Sequence, residues 1–166
     1  MKKKLYLAGG MFAAFTAMLS ESEKMRGLYD TVDFSLKFNA VGLTSPVPRM
    51  NGDFPMNFYT RIMLGKNCKG QEWTKYVNLE DILTLGKMPP TFMLTSSGDF
   101  LARKETRLAA ETYRKSGIDC QLMDFEKWNG VDLPHVFPVI YPFNEESQRA
   151  INEMLAFFKK YEKVKA

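Results

Sequence analysis

The sequence predicts an α/β fold, with about four parallel strands flanked by helices in a single domain over residues 1–166. Three observations carry that expectation. Short runs of β-forming apolar residues occur without polar alternation, in Phe38–Thr44 and again in Thr91–Thr95, as in strands buried on both faces. Helix-length segments separate and follow these runs. Finally, polarity flips abruptly after Thr95 into Ser96-Ser97-Gly98-Asp99, at the strand end where open α/β sheets carry functional groups.

Two parses fit the N-terminus. Lys2, Lys3 and Lys4, then Leu5 through Leu19, then Ser20-Glu21-Ser22 have the layout of a secretory signal. Equally, Leu5–Ala8 reads as a strand, Gly9-Gly10 as a tight turn, and Met11–Arg26 as a helix stopped by Gly27. Leu28–Leu36 is a polar connection containing Asp30 and Asp33. The strand from Phe38 is ended by Pro46 and Pro48. Residues 49–87 form an insertion punctuated by Asn51-Gly52, Pro55, Gly65 and Gly70, with helical pieces expected near Phe58–Leu64 and Leu79–Leu85. Phe54, Phe58, Tyr59, Trp73 and Tyr76 within it read as packing of a small subdomain rather than ligand contacts.

Pro89-Pro90 stiffens the approach to the strand Thr91–Thr95. A helix is expected over Leu101–Ser116 with Gly117 as its stop, then a strand over Ile118–Phe125, whose period is near two. Asn129-Gly130 marks a turn before Leu133-Pro134-His135-Val136-Phe137, which carries the chain's one histidine. Asn144 caps a last helix in which Ala150, Ile151, Met154, Leu155, Phe158 and Tyr161 recur at three and four.

The composition is that of an ordinary globular chain. Its net charge of +4 comes largely from lysines near both ends; without interleaved aromatics these read as solvated termini, and no nucleic-acid or membrane partner is expected. Cys68 and Cys120 fit free thiols in a reducing compartment. With one histidine and no paired cysteines, no metal site and no cofactor are indicated.

Taken in order, strand, acid, helix, strand, histidine and helix resemble the C-terminal half of an α/β-hydrolase of the esterase/lipase branch, which includes hormone-sensitive-lipase-like and acetyl-esterase-like enzymes. The residues that carry the resemblance are Pro89-Pro90, Gly98-Asp99-Phe100-Leu101 and Pro134-His135-Val136-Phe137. It implies a carboxylic-ester hydrolase acting on a small ester, in which Asp99 orients His135 and His135 is the general base. Laid on the family's Gly-x-Ser-x-Gly, Gly9 takes the first glycine, Ala13 the last, and Met11 the nucleophile's place. Methionine has no hydroxyl, so impaired serine chemistry is expected. Of the oxyanion hole, the backbone N–H of Phe12 is what remains. The family's earlier strands have no counterpart ahead of Lys4, and its cap or lid corresponds to residues 49–87.

Read from the residues alone, Asp99 could equally cap the helix that follows it. Asp124, Glu126 and Asp132 lie nearer to His135 in sequence and compete as its partner. The first strand would have an unpaired outer edge, which predicts a homodimer pairing these strands antiparallel across a two-fold axis. The last helix, around Phe157 and Phe158, is expected to present an apolar face to the same interface. The alternatives to an ester hydrolase are a non-catalytic fragment that dimerises or pairs with a separate N-terminal half, and a small secreted protein. The chain is expected in the cytoplasm, or outside the cell if residues 1–20 act as a signal.

Overall fold

A computed structural model describes residues 3–31, 36–47 and 70–162. The helix expected near Phe58–Leu64, the thiol of Cys68 and most of the 49–87 insertion lie outside them. Four parallel strands form one sheet in the order β1-β2-β3-β4: β1 (Lys3–Ala8), β2 (Phe38–Thr44), β3 (Thr91–Ser96) and β4 (Cys120–Phe125). Each strand pairs with the next in sequence. Their carboxyl ends therefore lie side by side, with Ala8 beside Thr44 and Ser96 beside Phe125.

The strands read as unbroken apolar runs because both faces are covered. Alternate side chains go to opposite faces. Val41, Leu43 and Met93 join Ala13, Ala14, Ala17, Met18, Ala109, Ala110 and Tyr113 on one face. Ala40, Phe92, Leu94 and Phe125 join Phe137, Ala150, Met154, Phe157 and Phe158 on the other. Each large apolar side chain fully buried in these layers contributes about 1.5–3 kcal/mol relative to exposure.

Helix α1 (Gly10–Glu21) and helix α2 (Glu23–Leu28) replace the single helix expected over Met11–Arg26. The break is Ser22, held extended while its hydroxyl donates to the Leu85 carbonyl at 2.6 Å and accepts the Met25 N–H at 3.1 Å. That tertiary bond overrides local helix propensity, and Gly27 lies inside α2 rather than ending it. A 3₁₀ turn, Glu72–Tyr76, precedes α3 (Leu79–Ile82). Here Trp73 packs on Tyr29, and Leu79, Ile82 and Leu85 are buried with α1.

Helix α4 (Arg103–Lys115) starts two residues later than expected, because Phe100 and Leu101 belong to the turn around Asp99. Gly117, at φ 76°, closes α4 as expected. Asn129 and Gly130, both at positive φ, form the turn between Trp128 and Val131. A four-residue helix, α5 (Phe137–Ile140), follows the histidine; its proline near the start and its shortness hid it from the sequence. In α6 (Glu145–Lys160), Asn144 accepts the Ser147 N–H at 2.7 Å as its cap. Phe157 and Phe158 are buried against the sheet, not presented outward as expected, while Leu155 faces solvent. Gly42 permits this: a Cβ there would lie 2.8 Å from Met154 Sδ and 2.9 Å from Phe158 Cζ, so α6 sits directly on β2.

Candidate active site

The carboxyl ends of β2 and β3 and the loop after β4 converge on two side chains. Asp99 is fully buried in the turn after β3, and His135 is partly exposed in the loop before α5. His135 Nδ1 lies 2.9 Å from Asp99 Oδ1. A carboxylate offers only acceptors, so the imidazole donates through Nδ1 and its Nε2 is left as the basic nitrogen of the neutral ring.

The turn itself builds the acid's surroundings. The Ala102 N–H donates to Asp99 Oδ1 at 3.0 Å, and the Thr95 hydroxyl donates to Oδ2 at 3.2 Å. The Arg103 N–H donates to the Asp99 carbonyl at 2.9 Å. Asp99 thus holds the turn ahead of α4 as well as the histidine, but it is not the helix cap expected from the sequence: the N-cap is Ala102, with no side-chain cap bond. Burial pushes the carboxyl's pKa up, but the hydrogen bond and charge of His135, the Ser45 hydroxyl and the Ala102 N–H outweigh it. Asp99 is held below its ordinary value.

None of the competing carboxylates reaches the histidine. Asp124 pairs with Arg103 at 2.9 Å and with Arg107, Glu126 also faces Arg103, and Asp132 lies 3.8 Å from Lys127.

The histidine loop is fastened to the end of β3. Gly98 donates its N–H to the Leu133 carbonyl at 2.9 Å, and the Ser96 hydroxyl donates to the same oxygen at 2.8 Å. On the other side, the Val136 N–H donates to Ser45 Oγ at 3.1 Å. Both Val136 (φ 51°) and Ser45 (φ 44°) are left-handed, a conformation that costs a non-glycine residue roughly 1–3 kcal/mol. Sequence reading missed Ser45, Thr95 and Ser96; their signal was a small hydroxyl residue at the carboxyl end of each buried strand.

Met11 and Phe12 lie in the first turn of α1, at the carboxyl end of β1. There the N–H groups of Gly10, Met11 and Phe12 have no partner within the helix. Met11 packs against the apolar layer formed by α1 and α4, while the Phe12 ring is exposed. The sharp turn from strand to helix falls on Gly9, at φ 131°. A Cβ on Gly10 would lie 2.7 Å from Pro46 Cβ, so the first turn of α1 rests directly on the residue after Ser45. Among the described residues no group of three His, Cys, Asp or Glu side chains is placed to hold a metal.

No family model matches the sequence, and no curated protein matches it either. Solved structures do. Esterase B from Lactobacillus rhamnosis is similar with a TM-score of 0.77 and 21% identity, covering 93% of this chain and 50% of that one. The chain carries an α/β-hydrolase fold. An acetyl ester-xyloside bifunctional hydrolase from Caldicellulosiruptor lactoaceticus is similar at TM-score 0.59 and 16% identity, covering 92% of this chain and 55% of that one. Esterase 2 of Thermogutta terrifontis is similar at TM-score 0.54 and 21% identity, covering 89% and 51%. The chain spans about half the length of the structures it matches. No helix among the described residues is long and apolar enough to cross a membrane.

Proposed function

We propose that this chain is the acid–histidine half of a carboxylic-ester hydrolase site with impaired serine chemistry. The observation that supports it is the 2.9 Å pair of Asp99 and His135 at the carboxyl end of a parallel sheet. In this reading His135 Nε2 takes a proton from a water as its oxygen attacks the ester carbonyl. Asp99 holds the ring and offsets the imidazolium charge. The Phe12 N–H donates to the developing oxyanion. Collapse of the tetrahedral species returns the proton to the departing alcohol. Met11 occupies the nucleophile's position and contributes no oxygen, so no acyl-enzyme forms and turnover is slow. Residues 49–87 would supply the cap over the ester.

Hydrolysis of p-nitrophenyl acetate by the pure chain, against His135→Ala, tests this. The expected result is a slow rate above buffer that the substitution removes. Equal rates for the two proteins would reject the ester-hydrolase reading.

A second reading, a non-catalytic homodimer, is favoured by one observation: β1 is the terminal strand of the sheet. Its outer row of backbone N–H and C=O groups invites antiparallel pairing with a second copy. Light scattering at micromolar concentration should then give twice the chain mass, and a monomer would dispose of it. The cytoplasm is the proposed compartment. A secreted form losing residues 1–20 would lose Ala13, Ala14, Ala17 and Met18 from the core, and intact-mass measurement on the natural product distinguishes the two.

A further inference from the structure

Two non-glycine residues with left-handed backbone, Ser45 and Val136, are hydrogen-bonded to each other between the end of β2 and the loop that carries the histidine. Ser45 ends β2 and is almost completely buried. Its own N–H donates to the Leu94 carbonyl at 2.7 Å, which pins it to β3. Its single oxygen accepts the Val136 N–H at 3.1 Å. The hydroxyl proton is then free to be donated, and the Ser45 side chain is among the groups that hold the Asp99 carboxyl below its ordinary value. A β-branched residue such as Val136 rarely adopts φ 51° unless its surroundings impose it, and this N–H sits immediately after His135.

We propose that Ser45 is a positioning residue of the Asp99–His135 pair. One buried oxygen ties the end of β2 to the backbone next to the imidazole, which holds the ring against Asp99 in the Nδ1–H tautomer with Nε2 bare. Thr95 and Ala102 hold the acid, whereas Ser45 holds the residue that follows the histidine. The inference rests on the pair being the proton-handling centre proposed above. Its readout is the tautomer and not ester turnover, so a chain inert toward esters leaves it standing.

The test is long-range proton–nitrogen NMR of the imidazole in the intact chain at neutral pH. His135 is the only histidine, so its signals need no assignment. The wild-type ring should be in the Nδ1–H form. Ser45→Gly removes the hydroxyl while relieving the left-handed backbone, so it keeps the fold better than Ser45→Ala. It should lower the ratio of Nδ1–H to Nε2–H tautomer about tenfold, the consequence of losing one buried hydrogen bond. A ratio unchanged in Ser45→Gly overturns the proposal. Amide exchange in the wild-type chain is the second measurement and needs no variant. The Val136 N–H should be strongly protected, and exchange at the rate of an exposed amide would overturn it equally.

Discussion

Gly98 lies against the carbonyl of Leu133: its N–H donates to that oxygen at 2.9 Å, and a Cβ at residue 98 would sit 2.6 Å from it. The turn that carries Asp99 and the loop that carries His135 are thus in backbone contact, closer than any side chain allows. Glycine is needed here for approach, not for a special φ. The pairing of Gly98 with Pro134 continues β3 by one parallel bridge beyond its end, which delivers the imidazole to the acid.

Gly98→Ala should therefore separate the two loops. The neighbouring atom is backbone, so it cannot rotate away, and overpacking of this kind costs about 1–3 kcal/mol. Urea unfolding should show that loss, together with disappearance of the downfield Nδ1–H proton signal of His135. A variant as stable as wild type that keeps the signal would show the contact to be unimportant.

Asp99→Asn should destabilise the chain in a pH-dependent way. The folded carboxyl is held below its ordinary value of 3.8, so its stabilising contribution is complete above that value. The contribution fades as pH falls through the lowered folded value. At pH 7 the variant should lose about 1–3 kcal/mol, since a buried carboxylate accepting several hydrogen bonds is replaced by a half-mismatched amide. Below pH 3.8 the difference between the two proteins should shrink. Urea titrations at several pH values check this, and a pH-independent difference would mean that the charge of Asp99 plays no part in folding.

Much of this site was legible in the sequence for one physical reason. A strand buried on both faces is made mostly of apolar side chains, so the flip at Ser96 to Asp99 announces its end, and a lone histidine ahead of a capped helix stands out. Ser45 was not legible. A serine before a proline marks a strand end whether or not its hydroxyl has work to do, and its partner Val136 is distant in sequence. The break at Ser22 escaped similarly, because it depends on the carbonyl of Leu85, 63 residues away. Phe157 and Phe158, expected at an interface with a second copy, are buried against the sheet, because three-and-four periodicity defines a stripe without saying how wide it is or what covers it. The absence of a side chain at Gly42 makes room for Met154 and Phe158 on the sheet.

Tyr113→Phe should leave stability unchanged or raise it by about 1 kcal/mol. The ring is fully buried among Ala109, Ala110 and Met93. Among the described residues its hydroxyl has no hydrogen-bond partner, and burial pushes its pKa above the usual tyrosine range. An unpaired buried hydroxyl costs free energy that phenylalanine, filling the same space, does not. Thermal melts of the two proteins decide it. A loss of more than about 1 kcal/mol would reveal that the hydroxyl makes a bond after all.

Met11→Ser tests the nucleophile position directly. If residue 11 holds that position, a hydroxyl there should raise p-nitrophenyl acetate hydrolysis, and the gain should vanish when His135→Ala is added. It should also be small, about tenfold and below the 10²–10⁴ of a well-placed general base. Residue 11 lies within the first helical turn of α1, and the sharp turn that exposes a nucleophile falls on Gly9. Stopped-flow traces should show a weak acyl-enzyme burst in Met11→Ser and none in the parent. A gain that survives His135→Ala would detach the serine from the histidine, and the nucleophile would then have to be sought elsewhere than at residue 11.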